Sequence, residues 1–461
     1  MNSPTPLHLY SSTPTICAVS TPYGVGGIAV VRVSGPEALS IVDTLFVGKH
    51  SLQDAKANTI HYGRFEDLDE VLVSVFRAPH SFTGEDVVEI ACHGSLYIQQ
   101  TVIQRLIESG CAMAAAGEFT RRALTNGKID LTQAEAVADL IASQSKAEHD
   151  LALKQLRGSV SSEIATLRDK LLHLTSLIEL ELDFADHEEL EFASRPELQA
   201  VADEIEQHLV HLTDSFKTGN AIKNGLPVAI VGPTNAGKST LLNALLGEQR
   251  AIVSDIQGTT RDTIEDTLIL DGILFRLIDT AGLRETQDEI EQLGIERTKA
   301  AIEKAAIILD LGERLEDGTS AYRLEAKNAR CTMHDAQVIK VINKADLMSD
   351  AERQKAARYG IVISAKNGDL GILREELVRT AKNLLEAASE GVCITGERHY
   401  EALLRALRSI KAVQEGLKQN ISGEFLSMDL QDVLTALGEV TGQVTNDEVL
   451  SNIFSKFCIG K

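Results

Sequence analysis

No stretch of this 461-residue chain approaches the ~18 consecutive apolar residues that a membrane-crossing helix requires, and the N-terminus lacks the basic-then-apolar layout of an export signal. Cysteine is scarce too. The six, Cys17, Cys92, Cys111, Cys331, Cys393 and Cys458, form no C-x-x-C pair and no metal-like cluster, so a cytoplasmic protein in a reducing compartment, without membrane attachment, is expected. Basic residues are outnumbered, 45 Lys and Arg against 67 Asp and Glu, for a formal charge of −22. That balance argues against whole-surface binding to nucleic acid or anionic lipid while leaving room for a local basic site. The densest basic cluster is Arg121-Arg122 with Lys128, for which charge alone favours a solvated helix face.

What is present starts with Gly232-Pro-Thr-Asn-Ala-Gly-Lys-Ser-Thr240, which fits G-x-x-x-x-G-K-[ST] between apolar Val228 to Val231 and helix-like Leu241 to Leu246. A strand, a glycine-rich turn and a helix start make a phosphate cradle of backbone N–H groups, with Lys238 for the β- and γ-phosphates and Ser239 for Mg²⁺. Downstream, strand-like Leu274 to Ile278 runs into Asp279-Thr-Ala-Gly282, a carboxylate for the metal shell and an N–H for the γ-phosphate. Gly258-Thr-Thr-Arg-Asp262 lies between, in the place of a switch segment offering Thr260 as a second metal oxygen. Val338 to Ile342 leads to Asn343-Lys-Ala-Asp346, whose Asp346 carboxylate suits guanine N1–H and the exocyclic amine, and Ser364-Ala-Lys366 follows Ile361 to Ile363 with an N–H for the guanine carbonyl. The expected GTP contacts are Asn235, Ala236, Gly237, Lys238, Ser239 and Thr240; Ser254, Asp255, Ile256, Gln257, Gly258, Thr259 and Thr260; Asp279, Thr280, Ala281 and Gly282; Asn343, Lys344, Ala345 and Asp346; and Ser364, Ala365 and Lys366.

Length implies about three domains. Residues 1–118 alternate strand-like runs (Ile28 to Val33, Val71 to Phe76, Val87 to Cys92) with helix-like Glu37 to Phe46 and Leu96 to Glu108, an α+β pattern. Over 119–216 the pattern turns helical, Leu153, Leu156, Val160, Ile164, Leu167, Leu171, Leu174 and Ile178 marking one stripe along a long helix. A nucleotide-binding domain over 217–385 begins at the turn-prone Thr218-Gly-Asn220 and Asn224-Gly-Leu-Pro227. A second stripe, Tyr400, Leu403, Leu407, Ile410, Val413 and Leu417, lies in 386–461. Neither helical stretch suffices alone, so one discontinuous helical domain with the nucleotide domain inserted in it is expected, over three domains in a row.

In Ras-like enzymes a glutamine just after the D-x-x-G segment orients the attacking water, but Leu283 stands here. Arg284, Glu285, Asp288, Glu289 and Glu291 are the nearby candidates, and the residues alone do not choose among them. Asn235 suits either a monovalent cation beside the phosphates or a loop-stabilising turn, and Ser254-Asp-Ile256 offers backbone oxygens to such an ion.

Outside the nucleotide domain stand Gly26-Gly-Ile-Ala-Val-Val-Arg-Val-Ser-Gly35, Ser81-Phe-Thr-Gly-Glu-Asp-Val-Val-Glu-Ile-Ala-Cys-His-Gly94, Gly117-Glu-Phe-Thr-Arg-Arg-Ala123, Asn126-Gly-Lys-Ile-Asp-Leu-Thr-Gln-Ala-Glu-Ala136 and Phe457-Cys-Ile-Gly-Lys461. With these, the chain resembles the MnmE (TrmE) family of tRNA-modifying GTPases almost end to end. The resemblance implies a multidomain α+β and α/β protein: an N-terminal tetrahydrofolate-binding and dimerisation domain, a discontinuous helical domain, and an inserted Ras-like P-loop GTPase domain. It implies a homodimer that joins a flavin (FAD) protein of the MnmG (GidA) type in a heterotetramer. That complex adds an aminomethyl or carboxymethylaminomethyl group to carbon 5 of the wobble uridine of certain tRNAs, drawing on 5-formyl- or methylene-tetrahydrofolate. By resemblance, Glu291 is the water-orienting carboxylate, Asn235, Ser254, Ile256 and Thr259 hold K⁺, and Ser239 and Thr260 hold Mg²⁺. Arg32, Glu89, Lys128 and Lys461 fall on the folate positions, and Cys458 on a cysteine considered for the modification chemistry. The chain departs from the family's usual pattern at Thr234, Tyr23, Val25 and Ser95. A ribosome-assembly GTPase that switches by binding alone is the alternative.

Overall fold

The computed structural model describes residues 13–183, 194–233, 235–247, 266–278, 302, 305–314, 320–321, 336–386, 391–445, 447–455, 457 and 460. The chain divides into two compact units, Met1–Ala138 with Gly438–Lys461, and Asp139–Leu437.

In the first unit, among the described residues, seven strands form one sheet: β1 (Ile16–Val19), β2 (Ala29–Ser34), β3 (Phe46–Gly48), β4 (Thr59–Phe65), β5 (Asp69–Phe76), β6 (Val87–Cys92) and β7 (Ala112–Met113). Their order is β3-β4-β5-β6-β2-β1-β7, antiparallel except where β7 joins β1. The alternation of β5 explains its placement, since Val71, Val73 and Val75 are buried while Leu72 between them is exposed. The buried face packs on α1 (Ala38–Leu45) and α2 (Leu96–Glu108), whose Leu39, Val42, Val102 and Leu106 join one core with Val31, Val33, Val88 and Ile90. α3 (Glu118–Thr125) and α4 (Leu131–Ala142) follow in the chain.

The second unit carries α5 (Lys146–Leu156), α6 (Ser159–Asp183) and α7 (Arg195–Asn224). The stripe expected on one long helix is therefore shared by two. Gly158, at φ 86°, takes a left-handed conformation that side chains with a Cβ rarely adopt, and it separates them. Val160, Ile164, Leu167, Leu171, Leu174 and Ile178 of α6 are buried as expected, but α5 buries Ala152 and Gln155 rather than Leu153 and Leu156. The turn expected at Thr218 to Asn220 is helical instead. α7 runs on to Asn224, and Gly219 lets the 391–396 segment cross it, because a Cβ there would run into the Ile394 carbonyl.

Beyond α7, among the described residues, stand β8 (Leu226–Val231), α8 (Lys238–Leu246), β9 (Asp266–Leu270), β10 (Ile273–Ile278), β11 (Ile307–Arg314), β12 (Ser320–Ala321), β13 (Gln337–Ile342) and β14 (Ile361–Val362). The sheet runs β14-β13-β11-β8-β10-β9, parallel but for β9, with β12 paired to β11. This is the Ras-like P-loop arrangement, with the loop-bearing strand in the middle. α9 (Asp350–Ala356) and α10 (Gly371–Glu386) complete it. α11 (Glu397–Lys418) then returns to α7: Phe216 stacks on Tyr400 at 4.3 Å, and Gln414 donates to Asp203 and Glu206. The α+β, helical and P-loop α/β parts expected from the sequence are all present.

Candidate functional site

The Gly232 to Thr240 turn follows β8 directly and ends at Gly237, the left-handed N-cap of α8, while Asn235 is also left-handed at φ 68°. Successive N–H groups in such conformations form an anion-binding concavity at the positive end of a helix. Lys238 Nζ donates to the Gly232 and Pro233 carbonyls at 2.9 and 3.0 Å, which curls its side chain over the loop. Asn235, Ser239 and Thr240 are exposed, open to a ligand.

The second half of the site is joined to the first by one side chain. Asn343, 3% exposed, donates from Nδ2 to the Ala236 carbonyl (2.9 Å) and accepts on Oδ1 from the Ala365 N–H (3.1 Å). A Cβ at Gly237 would run into the Asn343 amide, so the loop needs glycine there. Lys344 is left-handed at φ 65° and opens the short 3₁₀ turn Ala345–Leu347, which presents Asp346. Ser364 Oγ donates to Asp346 Oδ1 at 2.8 Å, fixing one carboxylate oxygen. The Gly232 to Thr240 turn, the Asn343 to Asp346 turn and the Ser364 to Ala365 segment are thus held together by hydrogen bonds. The sequence placed Asn343 among the GTP contacts, but its bridging role spans 107 positions and has no local signature.

In the first unit, Arg32 of β2 and Glu89 of β6 are register partners on adjacent strands. Arg32 Nε donates to Glu89 Oε1 at 2.9 Å, and a terminal guanidinium nitrogen lies 2.8 Å from the same oxygen in an ion pair, with the side chains 20% and 28% exposed. The guanidinium lies 5.5 Å from the Phe82 ring centroid and 5.6 Å from that of Phe119, two cation–π contacts that sequence reasoning missed. The loop carrying Phe82 also meets Lys128, whose Nζ donates to the Pro79 carbonyl at 2.9 Å and whose stem lies against Gly84. Gly460 is buried against the end of β1, its carbonyl accepting from Ser20 Oγ at 3.1 Å, and Ala18 of that strand is the register partner of Arg32. The residue before Lys461 therefore sits one strand from Arg32.

Arg122 is no solvated cation. It is 6% exposed, with salt bridges to Glu85 and Glu118 at 3.0 Å each. A cavity of about 180 Å³ lined by Asp139, Glu148, Gln155, Lys223 and Thr395, among others, shares no residue with either site, and Lys223 there is paired to Asp139 at 2.7 Å. Thr234, Ser254, Asp255, Ile256, Gln257, Gly258, Thr259, Thr260, Asp279, Thr280, Ala281, Gly282, Arg284, Glu285, Asp288, Glu289, Glu291, Cys458 and Lys461 lie outside the described residues. Among the described residues no helix is long and apolar enough to cross a membrane.

A family model of the GTP-binding protein TrmE N-terminus matches residues 15–128, and one of the MnmE helical domain matches residues 131–458. The chain belongs to the MnmE/TrmE family. Proteins named tRNA modification GTPase MnmE from Parabacteroides distasonis and Bacteroides fragilis are 53% and 52% identical over 463 and 465 residues, covering 97% of this chain and 100% and 99% of theirs. A solved structure of Aquifex aeolicus Era bound to GDP and aluminium fluoride is 27% identical and covers 40% of this chain and 65% of that one, at a TM-score of 0.25, too loose a superposition to carry the fold. Within the MnmE/TrmE family frame, Arg32, Glu89 and Lys128 gather around one loop of the TrmE N-terminal region, and Asn235 to Thr240 face Asn343 to Asp346 in the other unit.

Proposed function

We propose that this chain is a tRNA modification GTPase, as its half-identical relatives are named, hydrolysing GTP at the site built on β8, α8 and β13. The carrying observation is the Asn343 bridge, which holds the phosphate cradle and the Asp346 turn in the mutual register that a guanine nucleotide needs. Lys238, Ser239 and the backbone of 235–240 bind the phosphates; Asp346, with one oxygen held by Ser364, reads the guanine edge. Ser239 and Thr260 would hold Mg²⁺, and Asn235, Ser254, Ile256 and Thr259 would hold K⁺, which would supply positive charge to the phosphates, while Glu291 would orient water where Leu283 cannot. Asn235 is exposed, which leaves its amide oxygen open to a cation, and its left-handed backbone is one that asparagine adopts readily in a tight turn.

The finer reading is that GTP hydrolysis drives carboxymethylaminomethyl or aminomethyl addition to carbon 5 of the wobble uridine, with an MnmG-type flavin partner and a tetrahydrofolate one-carbon donor. Its support in the first unit is chemical. The Arg32 hydrogen bond and the closer ion-pair contact both fall on Glu89 Oε1, so a pterin donor edge can address Oε2 without breaking the ion pair, while Lys128, Lys461 and the outer edge of Arg32 suit formyl and glutamate oxygens. Homodimerisation through this unit is supported by the sheet face opposite the helices, where Val47, Ile60, Tyr62 and Leu72 are 47–67% exposed, an apolar surface in want of a cover. The return of α11 onto α7 favours one helical domain, 119–216 with 386–461, into which the GTPase domain 217–385 is inserted.

Nucleoside analysis of tRNA from cells lacking this chain tests the function. Loss of the C5 substituent at the wobble uridine is expected, and its persistence would favour the ribosome-assembly alternative. Titration of 5-formyltetrahydrofolate against the purified chain separates the two independently, since a binding switch gives no signal.

A further inference from the structure

β11 reads Ile-Ile-Leu-Asp-Leu over 307–311, and all five side chains are buried. Asp310 is 2% exposed, as hidden as Ile308 and Leu311 at 1%. A carboxylate in an inner strand of a parallel sheet is costly unless hydrogen bonds satisfy it, yet among the described residues Asp310 Oδ2 has no partner. Burial pushes its acid equilibrium upward, while Lys340 on the neighbouring strand opposes the shift.

Its position is informative. Register places Asp310 beside Val231, the last residue of β8 before the phosphate loop, and beside Lys340 of β13, whose side chain is exposed. Alternation puts Leu309 and Leu311 into the large core, and Asp310 on the opposite face with Ile308, Ala229, Val231 and Ile278. Ile278 is the last residue of β10, the strand on the far side of β8. Asp310 thus lies level with the carboxyl end of β8, the edge of the sheet at which open α/β folds take their ligands. Gly232, which opens the loop, touches the same strand, since a Cβ on it would lie 2.5 Å from the Leu311 carbonyl.

We propose that Asp310 is a positioning residue of the nucleotide site, its carboxylate oxygen Oδ2 kept unpaired at the root of the phosphate loop to take a hydrogen bond that forms only when GTP and magnesium are loaded. The proposal rests on the GTP reading above. The donor is an N–H or a metal-shell water, and the bond locks the end of β8 against β11, so that the loop bearing Lys238 and Ser239 is held during hydrolysis. A buried carboxylate with a purely structural role would have both oxygens satisfied, and an apolar residue would serve the sheet better.

That contrast supplies the test, on the full chain. Asp310→Val keeps a side chain of similar reach, raises strand preference and removes the carboxylate, so the nucleotide-free protein should melt about 2–4 °C higher. GTP turnover should drop roughly tenfold or more and KM should rise as well, because the bond is already made in the loaded ground state and holds the loop through hydrolysis. The Tm rise produced by a non-hydrolysable GTP analogue with Mg²⁺ should be smaller than in the wild type. Asp310→Asn, which keeps one acceptor oxygen, should recover part of both. Wild-type turnover in Asp310→Val, a lowered nucleotide-free Tm, or an unfolded variant would each overturn the proposal, the last two by showing that the carboxylate already has a structural partner. Asp310→Asn as slow as Asp310→Val would overturn it as well. Absence of GTP binding by the wild-type chain would instead sink the nucleotide reading beneath it.

Discussion

Asn343→Ala removes two hydrogen bonds at once and leaves both partners, the Ala236 carbonyl and the Ala365 N–H, in residues that are 0% and 4% exposed. A buried polar group left unpaired costs about 1–3 kcal/mol, so the nucleotide-bearing part of the second unit should lose about 2–6 kcal/mol, towards the lower figure if water enters the gap. The loss should appear in urea denaturation of nucleotide-free protein as an earlier midpoint for the transition that GDP protects. GDP needs both loops aligned, so its affinity should fall too, by roughly 10-fold for each 1.4 kcal/mol of the deficit that binding must restore. Asn343→Asp sharpens the argument. It can still accept from Ala365 but turns an oxygen towards the Ala236 carbonyl, so it should be no milder than alanine despite its closer shape. An unchanged midpoint together with GDP affinity within about twofold of wild type, measured by fluorescent-nucleotide titration, would refute the bridge as the organiser of the site.

Potassium is expected to speed GTP turnover and sodium not to; equal rates in the two chloride salts would remove Asn235 from cation binding. Glu291→Ala should bind GTP normally and lose turnover, and full activity in that variant would return the search to Glu285, Asp288 and Glu289. Arg32→Ala should weaken 5-formyltetrahydrofolate binding by about 10–100-fold, the range expected for a charge-assisted hydrogen bond, with unaltered calorimetric titrations counting against the folate reading. Stability should also carry a pH signature of Asp310. Its folded-state equilibrium lies above the unfolded one, so the folded chain holds the proton more tightly; the contribution is full below the ordinary aspartate range and is lost as pH rises through the raised value. Asp310→Val should therefore gain most over wild type at the upper end of that window, and parallel stability curves for the two proteins would contradict the sign.

What the sequence made legible was whatever depends on short spacing. The phosphate loop, the Asn343 to Asp346 turn and the α1 and α2 positions could be read because a turn or a helix is specified by residues within a few places of one another. Contacts closed by register were not legible. Nothing in the sequence alone says that Arg32 stands opposite Glu89, since one residue of slip between β2 and β6 would turn one of them to the other face. The Phe82 and Phe119 contacts to Arg32 depend on that same register and on the loop pinned by Lys128 and Asn126, so they were invisible for the same reason.

The misreadings share a different cause. Thr218 to Asn220 looked like a turn because Gly and Asn are poor helix formers, but propensity is worth about 1 kcal/mol at a glycine, and a crossing chain segment can outweigh it. At Gly219 the missing Cβ is what lets the Ile394 segment lie against α7, so the residue that weakens the helix locally is the one the packing selects. Asp310 obeys the same logic in reverse. One acidic residue within an apolar strand was a visible signal in Ile307 to Leu311, and its meaning emerged only once the sheet order put it beside the strand that ends in the phosphate loop. A residue that local rules disfavour and the fold nevertheless keeps is best read from what lies opposite it.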